Sequence, residues 1–153
     1  WHHFSYGFID FRRNFIGTSS KEEKSGDFNS VIAKQIVDDL IQVERPLAVD
    51  VANYFLDMKR VFAEMYRILK TGGKACIIIG NTSLRGVEIL NAQVAAEQMQ
   101  AAGFRKPVFI KREIPNKMIT PYRDLESGKF TGKDNPSKTR AYEFEYVVVM
   151  EKV

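Results

Sequence analysis

A chain of 153 residues with 44% hydrophobic and 27% charged side chains has the makeup of one globular domain. At this size folding buries roughly 68–70% of the unfolded surface, which excludes wholesale disorder. The longest apolar runs, 75–79 and 146–150, have five residues. A membrane span needs about 20, so no membrane segment is expected, and no signal peptide is visible.

The net charge of +4 is uneven: residues 105–140 hold ten Lys/Arg against four acids, a net of +6 that leaves −2 for the remainder. A basic segment on a mildly acidic body points to an anionic partner, nucleic acid first among them, or to a solvated basic loop. The single cysteine, Cys76, excludes an internal disulfide framework and a zinc site built from cysteines. Its place inside an apolar run predicts a buried structural thiol, and an intracellular, cytoplasmic setting is expected.

Residues 1–17, WHHFSYGFIDFRRNFIG, hold six aromatic rings that need a packing partner. His2 and His3 are adjacent, so their side chains diverge and no metal site is expected. Residues 18–28 read as a polar loop. Asp27 or Asn29 is a candidate cap for a helix over about 30–44, with Val31, Ile36 and Leu40 on its apolar face, and Pro46 ends or interrupts it. From about 50 to 70 the positions Phe55, Met58, Phe62, Met65 and Leu69 step by three and four, the spacing of one helix face.

Gly72 and Gly73 then read as a helix stop and turn into an interior strand at 74–80, covered on both faces. Residues 87–101 predict a helix packed through Leu90, Val94 and Met99, closed by Gly103. Strands are expected at 106–113 and 141–152. The 27 residues between them, 114–140, exceed the usual 12–15-residue limit for an unstructured connection and carry the positive charge. Helix, strand, helix, strand is the rhythm of a sheet with flanking helices.

Neither a P-loop nor GxGxxG is present. The turn TGGK at 71–74 follows a helix and precedes a strand, the wrong side for phosphate binding. GNTSLRG at 80–86 leaves the carboxyl end of a strand, the edge where ligands gather in open α/β sheets. Asn81, Thr82, Ser83 and Arg85 are therefore the best-placed polar residues, and helix capping explains part of the same pattern. No Ser–His–acid set or metal spacing occurs, and no catalytic residue is assigned.

The string RILKTGGKACIIIGNTSLRGVEI, followed by GF, IPNK and EYVVVMEK, resembles the C-terminal half of S-adenosylmethionine-dependent methyltransferases. It is most similar to the DNA methylases that modify exocyclic amino groups of adenine or cytosine. The family's Leu-Lys-Pro-Gly-Gly-like turn is matched by Leu69-Lys70-Thr71-Gly72-Gly73, with Thr in place of Pro. Its strand end near Gly-Asn is matched by Gly80-Asn81, and its Ile-Pro-Asn-Lys segment by Ile114-Pro115-Asn116-Lys117. Arg12–Thr18 resembles the stretch shortly after the family's catalytic motif.

The family's cofactor loop, its acidic residue after the second strand and its Pro-Pro-aromatic tetrapeptide are all missing from this sequence. With Trp1 first, the resemblance implies a fragment beginning just beyond the catalytic motif. The expected fold is a partial Rossmann-like class I methyltransferase sheet, about three of seven strands, with flanking helices and a long basic loop before the last strand. Residues 1–28 form an aromatic segment and polar loop, and 29–153 the C-terminal portion of the α/β domain.

In the parent, methyl would pass from the sulfonium of S-adenosylmethionine to an amino nitrogen of a base taken out of its stack. The resemblance implies substrate-lining roles for Gly80, Asn81, Ser83 and Arg85, and nucleic-acid contacts for Lys111, Arg112, Asn116, Lys117, Lys129 and Lys133. This chain alone is expected to be inactive and not to bind the cofactor tightly. Its expected partners are DNA, and either the missing N-terminal half or a second copy covering the sheet edge. RNA as substrate, or a non-catalytic nucleic-acid-binding or interaction module with a degenerate methylase half, are the alternatives.

Overall fold

The computed structural model describes residues 15–17, 22–114, 120, 122–127, 129–140 and 144–153. Among them the chain is mixed α/β, with three helices, a three-stranded sheet and two small two-stranded ribbons.

Helix α1 (Val31–Val43) starts at Ser30, whose hydroxyl accepts from the Ala33 amide at 2.9 Å. Ser30 is therefore the cap, in place of Asp27 or Asn29. Asp27 instead accepts from the Asn29 amide and closes the preceding turn. The Glu97 carboxylate accepts from the Ser30 hydroxyl at 2.5 Å and from the Ile32 amide at 3.2 Å. A carboxylate at a helix N-terminus satisfies amides that have no intrahelical partner.

Glu44 ends α1, its amide donating to Leu40, and its carbonyl accepts from Ala48 to open α2 (Arg45–Ile68). Pro46 thus lies in the first turn of α2, where its missing N–H costs nothing, and the second helix begins about five residues earlier than its periodicity suggested. It also stops at Ile68, so the two glycines belong to the following turn and do not cap the helix. The 3–4 stripe is otherwise where the pattern put it, with Phe55 and Phe62 buried and Met58, Met65 and Leu69 packed around them.

Strand β1 (Lys74–Ile79) is followed by β2 (Thr82–Leu84), β3 (Val87–Ile89), α3 (Asn91–Ala102) and β4 (Phe104–Glu113). Residues 87–89, expected as helix, are strand. Arg85 and Gly86 both have positive φ, +52° and +81°, the two-residue turn that joins twisted strands without splaying them. Helix α3 ends at Gly103, φ +115°, where an added Cβ would stand 2.7 Å from the Tyr66 ring. Only glycine meets both demands, as the sequence indicated.

The long connection after β4 is not structureless. It contains β5 (Tyr122–Asp124) and β6 (Lys138–Arg140), paired antiparallel, before the last strand β7 (Phe144–Lys152). The sheet order is β1-β7-β4, with β7 antiparallel to both neighbours, so β1 and β4 run parallel and are joined through α3.

One face of this sheet packs on α2 and α3. Ala75, Val148, Met150 and Phe104 close there on Phe62, Ala92, Ala95 and Met99. A second cluster unites α1, the first half of α2 and Ile89. The other face bears Cys76 and Ile78 beside Val149, Val147, Val108 and Ile110. No described element covers it, and Ile78 is 57% exposed.

Two expectations are overturned here. Among the described residues strand β1 pairs only with β7 and has one covered face, not the two expected of an interior strand, and Cys76 is exposed, not buried. A continuous apolar run reports what a strand suits, not which neighbours stand beside it. No helix among the described residues is long and apolar enough to cross a membrane.

Candidate functional site

At the carboxyl end of β1, the β2–β3 and β5–β6 ribbons face each other across a cleft of about 420 Å³. Asn81, Thr82, Ser83, Arg85 and Glu88 line it from the first ribbon and its approach, Arg123, Asp124, Thr139 and Arg140 from the second, and Tyr146 of β7 also lines it. The structure thus gathers three of the four predicted substrate-lining residues. Gly80 does not line the cleft, and its carbonyl accepts from the Asn91 side chain at 2.9 Å.

Asn81 is largely committed to the scaffold. Its Oδ1 accepts from the Ala92 amide and its Nδ2 donates to Gln93 Oε1, both at 2.9 Å. These bonds tie the strand end to the start of α3, the capping role that the polar turn also allowed. Asn81→Ala lowers the unfolding free energy by about 1 kcal/mol, the usual cost of a lost cap, measurable by urea titration. A change under about 0.3 kcal/mol would show that the side chain contributes nothing to α3.

Arg85 occupies a left-handed backbone conformation that a branched or long side chain rarely adopts, and its guanidinium joins three parts of the fold. Its Nε stands 2.6 Å from Glu44 Oε2 at the α1–α2 junction, and one terminal nitrogen donates to the Glu126 carbonyl at 2.8 Å. It therefore fixes the second ribbon against the body while keeping donors for a ligand. Thr82 Oγ1 is buried beside the cleft and has no hydrogen-bond partner among the described residues.

The β5–β6 ribbon is ordered by polar bonds rather than by a core. Asp124 accepts from the Ser127 amide at 2.7 Å, from the Ser127 hydroxyl at 2.8 Å and from Asn135 Nδ2 at 2.8 Å. These bonds hold its carboxyl down at about 2, the Ser127 amide foremost. The depressed pKa means that this carboxylate favours the folded turn at neutral pH. The preference fades as pH falls from the ordinary value near 3.8 through about 2. Arg123 lies 4.5 Å from the Phe130 ring centroid, and Lys138 lies 5.8 Å from that of Tyr122. Both contacts hold a basic group against an aromatic ring of the same ribbon.

The other basic residues singled out in the sequence stand elsewhere. Lys111 lies over the Phe144 ring at 3.8 Å, and Arg112 pairs with Glu145, on β4 and outside the cleft. Lys129 and Lys133 belong to the stretch joining β5 to β6 and do not line the cleft either. Asn116 and Lys117 lie outside the described residues, as do His2 and His3.

The guanidiniums of Arg123 and Arg140 were not singled out. The one available signal was the density of positive charge over 105–140, because their approach to Arg85 depends on a ribbon pairing that no motif announced.

The described residues do not fit S-adenosylmethionine. The Gly72 amide donates to the Lys152 carbonyl and the Gly73 carbonyl accepts from the Lys152 amide, so this glycine turn is used in starting the sheet. Among the described residues no glycine-rich turn leads from a strand into a helix. Among the described residues no group of three or more His, Cys, Asp and Glu could hold a metal. The chain matches no known protein family, no curated protein and no solved structure.

Proposed function

We propose that this chain is the C-terminal part of an S-adenosylmethionine-dependent methyltransferase acting on amino groups of DNA bases. The cleft at the end of β1 lies against the nucleic acid. The observation that carries the reading is the convergence of Ser83 and Arg85 with Arg123, Thr139 and Arg140 at that strand end. Open α/β sheets use this edge for ligands.

The topology supports a Rossmann-like sheet of the methyltransferase kind. Parallel β1 and β4 are linked through α3, and α2 packs on the same face before entering β1. Helices joining parallel strands across one face are the repeating unit of doubly wound folds, and reversed strands occur within mixed sheets of that type.

In this role the arginines hold phosphates, which position a strand without reading its sequence, and Ser83 offers its hydroxyl to a base edge. The cofactor and the groups that hold the reacting amine belong to the rest of the parent. It supplies the methyl group, and no step of transfer is assigned to the residues described.

The test is methyl transfer from labelled S-adenosylmethionine by the longer protein that this reading requires, with a DNA duplex and a transfer RNA as parallel substrates. Label in amino groups of DNA is the expected result. Label confined to RNA would assign the RNA-modifying alternative. Tight binding of S-adenosylmethionine by the 153-residue chain alone would contradict the fragment reading.

A further inference from the structure

The packed interface between α2 and α3 holds a small cavity of about 10 Å³, beside Ile79 at the end of β1. Phe55, Phe62 and Val94 are among the apolar side chains that wall it, and two amide side chains of α3, Asn91 and Gln98, reach it as well. Gln98 is 1% exposed. Its Nε2 donates to the carbonyls of Phe28 and Phe55, both at 3.0 Å, and Asn91 Nδ2 donates to the Gly80 carbonyl at 2.9 Å. These donor bonds fix which end of each amide is nitrogen. They leave Gln98 Oε1 and Asn91 Oδ1 buried, with no hydrogen-bond partner among the described residues.

We propose that this cavity binds one structural water, which donates one O–H to Gln98 Oε1 and the other to Asn91 Oδ1. The proposal does not rest on the methyltransferase reading. Both oxygens are acceptors, so neither satisfies the other, and an unpaired buried acceptor is costly. Water is the smallest molecule that brings two donors to one point. Residues 91 and 98 stand two turns apart on one face of α3, about 10.5 Å along its axis, a rise that two amide side chains with a water between them can span. The volume fits too, since one water needs about 10–15 Å³ and about two to four polar partners. Apolar walls alone would leave such a cavity dry; the two oxygens make it a water site.

With the water in place, one polar path crosses an otherwise apolar interface, from the Gly80 carbonyl through Asn91 and Gln98 to the carbonyls of Phe55 and Phe28. It links the end of β1, helix α3, the middle of α2 and the segment before α1. It also accounts for a buried glutamine among Val94, Ala95 and Met99 on α3.

Water–protein NOE and ROE spectra of the full chain test this. A long-lived buried water gives NOE and ROE cross-peaks of opposite sign, and these are expected at the Val94 and Ala95 methyl groups, which border the cavity. Tyr54 borders it too, and Tyr54→Phe, which removes an exchangeable hydroxyl proton, leaves the cross-peaks in place. Gln98→Met, which removes the acceptor, abolishes them. The wild-type spectrum decides by itself where Gln98→Met fails to fold. Absence of the cross-peaks from the wild type would overturn the proposal. So would their loss in Tyr54→Phe or their persistence in a folded Gln98→Met.

Discussion

Phe104→Ala lowers the free energy of unfolding by about 3–5 kcal/mol in urea titrations. Phe104 is 0% exposed and is the first residue of β4, directly after the glycine that ends α3. Its ring meets Tyr66 edge to face, with centroids 5.1 Å apart and planes at 83°. Around it pack Phe62, Met99, Ala75 and Met150, drawn from both helices and two strands.

Truncation removes a large apolar surface and leaves a cavity that two helices and a sheet cannot close together. Domains of this size are stable by only about 5–15 kcal/mol, so the variant is expected to sit near the edge of folding. Val108→Ala, at a side chain 51% exposed on the open face, is the control and changes stability by less than about 0.5 kcal/mol. A loss under about 1 kcal/mol at Phe104 would contradict the packing described.

The second large effect concerns nucleic acid. Replacing Arg123 and Arg140 together by alanine flattens the plot of log affinity for a DNA duplex against log salt by about 1.8, or 0.9 for each lost phosphate contact. The double variant therefore loses most affinity at low salt and approaches the wild type as salt rises. Arg85 is left out of this set because it braces the second ribbon through Glu44 and Glu126. An unchanged slope would remove these arginines from the interface.

Much of the scaffold was legible before any coordinates. The helix through Phe55 and Phe62 announced itself because its apolar side chains recur at three and four residues, a spacing that few other structures tolerate. Gly103 was legible because a helix stop followed by an apolar residue has a distinct backbone requirement. The runs that became β1 and β7 were legible as strands through their β-branched content.

The remainder depended on information that pattern does not carry. The β2–β3 ribbon has only three residues per strand, and its turn is Arg-Gly instead of the common Asn-Gly. The β5–β6 ribbon is organised by Asp124, Ser127 and Asn135, whose hydrogen bonds leave no hydrophobic periodicity to detect.

Pro46 was read as a stop because proline breaks helix interiors, and the same residue is welcome in a first turn. The turn read as the candidate site borders a cleft, and much of its polar chemistry is bound to the scaffold. Asn81 serves mainly as scaffold, Arg85 braces the second ribbon, and the facing arginines come from a segment read as a loop.

Amide chemical-shift mapping of the chain titrated with a short DNA duplex tests the central claim most directly, since it locates the bound surface residue by residue. The account predicts the largest shifts at Thr82, Ser83 and Arg85 together with Arg123, Thr139, Arg140 and Tyr146, weakening as salt is raised. Shifts confined to α1 and α2 away from the cleft, or no shifts at the lowest salt, would contradict it.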